Sequence, residues 1–266
     1  ELWRTDGTRK GTRMVRDIGP GDSVSRSITP VAAGDFLYFV ARRRGEGAEL
    51  WRTDGTREGT RLVRDIRAGR KSSEPNDLTA IDGQLYFTAD DRTHGRELWR
   101  TDGSDAGTKM VADLTPGRGS SALSDLVALA GTVYLTNWNM VDEPGQLAEL
   151  WRVVGAGSRL EPVLVGSDES TPVGRAWSEN ATVASSEERL YLAADDGVHG
   201  NELWMIDAAT QVPELVADVQ PGPDGSHPQW LTLAETTLYF TADDGEHGRQ
   251  LWTVPLEVQA DESAET

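Results

Sequence analysis

The stretch "ELWRTDGT" at 49–56 decides how this chain is read, because the same eight letters stand at 1–8 and return as "ELWRTDGS" at 97–104. A catalytic group is seldom needed three times over. A structural unit that cannot bury its apolar faces alone needs neighbours of its own kind. Aligned on Glu-Leu-Trp, the units start at Glu1, Glu49, Glu97, Glu149 and Glu202, with a weaker start at Gln250. The intervals are therefore 48, 48, 52, 53 and 48 residues. Six of the nine tryptophans (Trp3, Trp51, Trp99, Trp151, Trp204 and Trp252) occupy this one position, so the indole belongs to the unit.

Outward from the motif, each unit repeats further pieces. "TRLVRDI" follows it, then a Gly/Pro/Ser-rich stretch such as "TPGRGSSALSDL", then a run of the "QLYFTADD" type. Short β-branched and aromatic runs bounded by Gly, Pro, Asp and Ser are strand signals. No stretch carries apolar residues at helical spacing. Four strands fit each unit: a short one before "IDG" or "LAG", then "LYFTA", "ELWRT" and "LVRDI". In the middle two, Leu85 and Phe87 face away from Tyr86, and Leu50 away from Trp51, so both faces are apolar.

Repeated four-stranded sheets covered on both sides predict an all-β protein, a β-propeller of four-stranded blades. β-Helix coils are far shorter than this period, and a sandwich does not demand one. About five blades are visible over 1–256, either as a five-bladed ring closed by an N-terminal strand or as part of a six- or seven-bladed ring. The acidic stretch 257–266 is expected to be a tail or linker.

Within "RTDGT", Asp and Gly suit a tight turn between the third and fourth strands. "RVVGAGS" and "MIDAAT" take its place in repeats four and five, which a turn tolerates better than a catalytic residue would. The indoles are expected to fill the wedge between neighbouring blades. The whole pattern, "ELWRTDGT…GT.LV.DI.PG..SS.P..L…G.LYFTADDG.HG.ELW", resembles the bacterial repeat family named after its ELWxxDGT signature. That resemblance covers nearly the whole chain and is weakest over 149–190. It implies a repeat protein, secreted or at the cell surface, with no catalytic mechanism to carry over.

Composition narrows the function classes. A net charge of −18 and a pI near 4.6 disfavour nucleic acid and anionic membranes as partners. With no Cys, thiol chemistry, disulfides and Cys-ligated metals are excluded. No apolar run is long enough for a helical membrane span, so membrane insertion is not expected. Glu1 opens inside a motif, and residues are expected to precede it.

Chemistry is sought in the loop between second and third strands, "ADDRTHGRELW", "ADDGVHGNELW" and "ADDGEHGRQLW". It sets Asp90, Asp91 and His94 in one blade, Asp195, Asp196 and His199 in another, and Asp243, Asp244 and His247 in a third. Oxygen ligands on a Gly turn suit Ca²⁺, and Asp with His suits Zn²⁺ or Mn²⁺. The plainer expectation is an Asp-stabilised hairpin with His bonded to a backbone carbonyl. Equivalent loops on different blades should not converge on one ion. In an up-and-down blade this loop shares a rim with the crossover, opposite "TDGT".

Two breaks in the repeat fall on that crossover rim. Arg42, Arg43 and Arg44 replace the aspartates in repeat one. Trp138, Asn139 and Met140 sit in a longer loop in repeat three, and Trp230 is a further aromatic outside the repeat pattern. Arginines beside an open tryptophan suit a carboxylate-bearing glycan or protein ligand. The expectation is a binding or scaffold module without catalysis. The alternatives are a polysaccharide hydrolase or lyase using Asp, His and Arg of the rim, and a Ca²⁺-stabilised structural module. Oligomeric state is not legible.

Overall fold

The computed structural model describes residues 1–19, 29–43, 45–121, 123–137, 150–154, 159–165, 171–172 and 183–256. All regular secondary structure among them is strand. An opening sheet pairs Leu2–Arg4 with Arg13–Arg16. Four-stranded antiparallel meanders follow, each ordered as its strands occur in the chain. Blade I holds Val31–Ala33, Phe36–Arg42, Ala48–Thr53 and Arg61–Leu62. Blade II holds Asn76–Ile81, Gln84–Asp90, Arg96–Thr101 and Lys109–Ala112. Blade III holds Leu123–Leu129, Thr132–Asn137, Leu150–Val154 and Arg159–Pro162. Blade IV holds Ala184–Ser185, Arg189–Asp195, Asn201–Asp207 and Pro213–Ala217. Among the described residues blade V has three strands, Gln229–Ala234, Thr237–Asp243 and Arg249–Pro255, and a two-stranded ribbon joins Leu164–Val165 to Thr171–Pro172. The expected all-β architecture of propeller blades is what the chain adopts.

Contacts group the chain into two compact units. One comprises 1–126, 135–140 and 153–160, and the other 127–134, 141–152 and 161–266. The opening sheet and blades I and II lie in the first, and blades IV and V in the second.

Each blade has two different apolar faces, because strand residues alternate in direction. Tyr38 and Leu50 of blade I look forward, onto Leu85, Phe87, Ala89 and Trp99 of blade II. Phe39, Ala41 and Trp51 of blade I look back, onto Leu2 and Ile18 of the opening segment. The second unit repeats the scheme: Tyr191 and Leu203 of blade IV pack on Leu238, Phe240, Ala242 and Trp252 of blade V. The register makes this possible, since Phe87 stands opposite Trp99 and Phe39 opposite Trp51 across the middle pair. Trp51, Trp99 and Trp204 are buried, as the wedge expectation required.

The fourth strand is shorter than "LVRDI" suggests. In blade I only Arg61–Leu62 pairs, after which Val63 still donates to the Leu50 carbonyl. The arginine that follows leaves the ladder to tie sheets together. Arg64 Nη1 donates to the Thr108 carbonyl of blade II at 2.7 Å, and Arg16 donates to the Thr60 carbonyl of blade I. The arginine of "LVRDI" is thus a bond between neighbouring sheets.

Candidate functional site: the crossover rim

The rim is held by a residue whose role the sequence hides, the Glu of "ELW". Glu49, Glu97 and Glu202 are fully buried, at 0–1% exposure. Buried carboxylates are rare unless bonded. Each accepts bonds from the crossover of its own repeat, and from a serine 24 residues onward. Ser226 N and Oγ reach Glu202 at 2.8 and 2.5 Å, with Val219 N at 3.1 Å and Gln220 N at 3.0 Å. Ser73 N and Oγ reach Glu49 at 2.8 and 2.5 Å, and Ile66 N at 3.3 Å. Ser121 and Leu114 serve Glu97 in the same way. The preceding serine binds the backbone of the motif strand instead. Ser72 Oγ accepts from Ala48 N at 2.8 Å, and Ser120 Oγ from Arg96 N at 3.0 Å. The crossover serine, second of "SS" in two repeats and preceded by Gly225 in the third, and the "E" of the motif are two halves of one lock.

Burial pushes the Glu49 carboxyl up to about 7, with the Ser73 bonds pulling the other way. Burial likewise raises Glu97. A carboxyl whose folded value lies above its unfolded value of 4.5 contributes stability that is full below 4.5 and lost as pH rises through about 7. The melting temperature of the protein should therefore fall relative to that of Glu49→Gln between pH 5 and pH 8. Parallel curves for the two proteins would contradict this.

The histidine loop rests on the same crossover. Gly47 N donates to the Gly69 carbonyl at 3.0 Å, and Ser121 N to the Arg96 carbonyl at 2.9 Å. A Cβ on Gly95 would lie 1.8 Å from the Gly119 carbonyl oxygen, and one on Gly47 2.0 Å from that of Lys71. Gly95, after His94, and Gly47, at the equivalent position one repeat earlier, are fixed by this contact, and the two loops share a rim as the strand order required.

Within the loop, Asp91 Oδ1 accepts from Thr93 N and His94 N at 2.8 Å each, and its Oδ2 lies 2.7 Å from His94 Nδ1. Asp196 with His199, and Asp244 with His247, repeat the arrangement, each with 2.8 Å between Oδ2 and Nδ1. Histidine is thus bonded to a carboxylate, not to the backbone carbonyl expected from the sequence. The carboxylate sits three residues earlier on the same turn and already faces the ring. The Asp91 bond raises His94 above the usual imidazole value, and the bonds from His247 draw Asp244 down to about 2. The leading aspartates cap the turn: Asp90 Oδ1 accepts from Arg92 N, Asp195 Oδ1 from Gly197 N and Asp243 Oδ1 from Gly245 N. Asp90 Oδ2 also meets Arg67 at 2.6 Å.

Among the described residues no three His, Asp or Glu side chains converge as a metal would require. Both oxygens of Asp91, Asp196 and Asp244 are engaged within their own turns. Chelation with EDTA is accordingly expected to leave the melting temperature unchanged. A drop that Ca²⁺ restores would contradict this.

Of the rim residues that break the repeat, Arg42 is exposed at the end of its strand, and Arg43 lies 3.5 Å from Glu46. Trp230 is exposed at 55% and held at a φ of 58°. Arg42 and Arg43 belong to one unit and Trp230 to the other. Arg44, Trp138, Asn139 and Met140 lie outside the described residues.

On the opposite rim, the polar letters of "TDGTREGT" bond one another. Asp54 Oδ1 accepts from Thr56 N and Oγ1, Thr56 Oγ1 accepts from Gly59 N, and the Thr53 and Thr60 hydroxyls meet at 2.7 Å. A Cβ on Gly59 would strike the Asp54 carboxylate at 2.1 Å. In repeat five the aspartate survives as Asp207, whose Oδ1 accepts from Ala209 N. Two grooves lie beside this rim at the opening sheet, one bordered by Trp3, Leu37 and Asp54, the other by Arg4, Lys10 and Arg13. Neither lies on the crossover side.

Strands, locks and turns together define a tandem repeat of propeller blades. No family model matches the chain, and no curated protein does. Solved structures similar to it include a puromycin hydrolase S511A mutant, at 16% identity and a TM-score of 0.47, covering 93% of this chain and 39% of that one. Another is a puromycin-hydrolysing peptidase of Mycobacterium tuberculosis, at 15% identity and 0.46, covering 89% and 37%. TolB from Acinetobacter baumannii matches at 12% identity and 0.39, covering 86% and 55%. The chain thus spans less than two thirds of each, and likenesses this low say nothing of activity.

Proposed function

We propose that this chain is a binding or scaffold module of the ELWxxDGT repeat type, exported or surface-associated, whose crossover rim meets a carboxylate-bearing glycan or protein. One observation carries the reading. The repeating polar residues of the rim, Glu, Ser, Asp and His, are bonded within their own repeats. Recognition then falls to residues that break the pattern. Arg42 takes the position that Asp90 holds one repeat later, and is a cationic point on an acidic molecule. A guanidinium there suits a carboxylate, to which it can offer two parallel N–H bonds.

The test is a glycan and acidic-peptide array followed by a turnover assay on each hit. Binding without product, weakened roughly tenfold or more in Arg42→Ala/Arg43→Ala, is the expected outcome for lost charge-assisted bonds. Product formation, or binding indifferent to both arginines, would overturn the reading.

A further inference from the structure

We propose that the crossover rim of blades I and II binds a linear polyuronate, a glycan with one carboxylate per sugar, along a track of cations drawn from three loops. This rests on the crossover rim being the binding face. The loops are 42–47 of blade I, the crossover 67–73, and 90–92 of blade II, and all three lie in one compact unit. Hydrogen bonds hold them together. Gly47 N donates to the Gly69 carbonyl at 3.0 Å, Ala48 N to Ser72 Oγ at 2.8 Å, and Asp90 N to the Ser73 carbonyl at 2.9 Å. Arg67 Nη1 reaches Asp90 Oδ2 at 2.6 Å, and Arg92 N donates to Asp90 Oδ1 at 2.6 Å.

Among their described residues these loops carry Arg42, Arg43, Arg67, Arg70, Lys71 and Arg92, all but Arg67 exposed. Glu46 engages Arg43, and Asp90 engages Arg67. Among the described residues no ion pair engages Arg42, Arg70, Lys71 or Arg92. The fold does not require this charge. After blade IV the crossover is bonded in the same way, with Asp243 N on the Ser226 carbonyl at 2.9 Å. Yet Asp195, Asp196, Gln220, Pro223 and Asp224 stand there at the places of Arg42, Arg43, Arg67, Arg70 and Lys71. A rim that closes equally well around aspartates leaves its arginines to a ligand.

The occupant follows from charge and from what the rim lacks. A peptide is read through backbone bonds or side-chain pockets. Here Gly47 N, Ala48 N, Ser73 N and Asp90 N are already bonded. What remains is a set of cations spaced along three loops, which suits a chain bearing carboxylates at intervals. Several weak pairs then act together on one molecule. Duplex DNA, with a charge per about 1.7 Å of axis, is disfavoured by a molecule of net charge −18.

Calorimetric titration of the chain with a galacturonate oligomer, galacturonic acid, polyglutamate and a DNA duplex tests this. The variants are Arg70→Glu/Lys71→Glu and, with the same change of charge on the opposite rim, Arg9→Glu/Arg57→Glu. The oligomer is expected to bind about tenfold or more tightly than the single sugar. Its affinity should fall with added salt. Its Kd should rise about tenfold or more in Arg70→Glu/Lys71→Glu, and stay within about twofold in the opposite-rim variant. Both variants should melt with the unaltered chain. Equal losses in the two variants, or polyglutamate or DNA bound as tightly as the oligomer, would overturn the proposal. Ligand binding that is lost in Arg42→Ala/Arg43→Ala but untouched in Arg70→Glu/Lys71→Glu would overturn the track and leave the binding rim standing. Binding indifferent to both pairs would overturn both.

Discussion

Glu202→Ala is expected to destabilise the protein by on the order of 4 kcal/mol, because it strands several buried donors at once. Ser226 N and Oγ, Val219 N and Gln220 N all lose their acceptor, and the side chain removed is fully buried. Glu202→Gln keeps the volume and one acceptor oxygen, but turns an NH₂ toward donors. About half the loss is expected there. Glu214→Ala, at an exposed position on the same blade, should change stability by no more than about 0.5 kcal/mol. Urea midpoints for the three variants measure the order directly. If Glu202→Ala behaved like Glu214→Ala, the glutamate would not be a lock.

The second large effect concerns Gly95. It has a φ of +75°, and a Cβ placed on it would lie 1.8 Å from the Gly119 carbonyl oxygen. Gly69 has a φ of +99° and open space where its Cβ would be. Both substitutions to Ala force an L-residue into left-handed backbone, a strain of about 1–2 kcal/mol. Only Gly95→Ala must also push the crossover backbone away, so it should cost more than about 3 kcal/mol. The difference between the two isolates the contact between the histidine loop and the crossover. Equal midpoints would mean that the crossover yields freely.

The four-stranded unit and its strand order are legible in the sequence because period and alternation are local patterns. The Trp of "ELW" recurs at a strand position that alternates with Leu, and this suffices to place it between sheets. The turn role of Asp54 is legible from Asp-Gly alone. The role of Glu49 is not, since its partner Ser73 stands 24 residues away and strand periodicity says nothing of such pairs. A signal is present nonetheless: Glu recurs in a strand whose neighbours are apolar, and an acid kept there needs buried donors. The role of Arg64 is not legible either, because its acceptor, the Thr108 carbonyl, belongs to another blade. The histidine loop reads as the hairpin it is, but its spacing does not show that the ring meets a carboxylate in place of a carbonyl.

The tie between the motif glutamate and the crossover serine is tested most directly by a double-mutant cycle on Glu202→Gln and Ser226→Ala, read by urea unfolding. The two side chains meet at 2.5 Å in the interior. A coupling of about 1–3 kcal/mol between the substitutions is expected for contacting residues of one buried network. Additive effects would mean that glutamate and serine act independently, and the repeat would owe its period to something other than this lock.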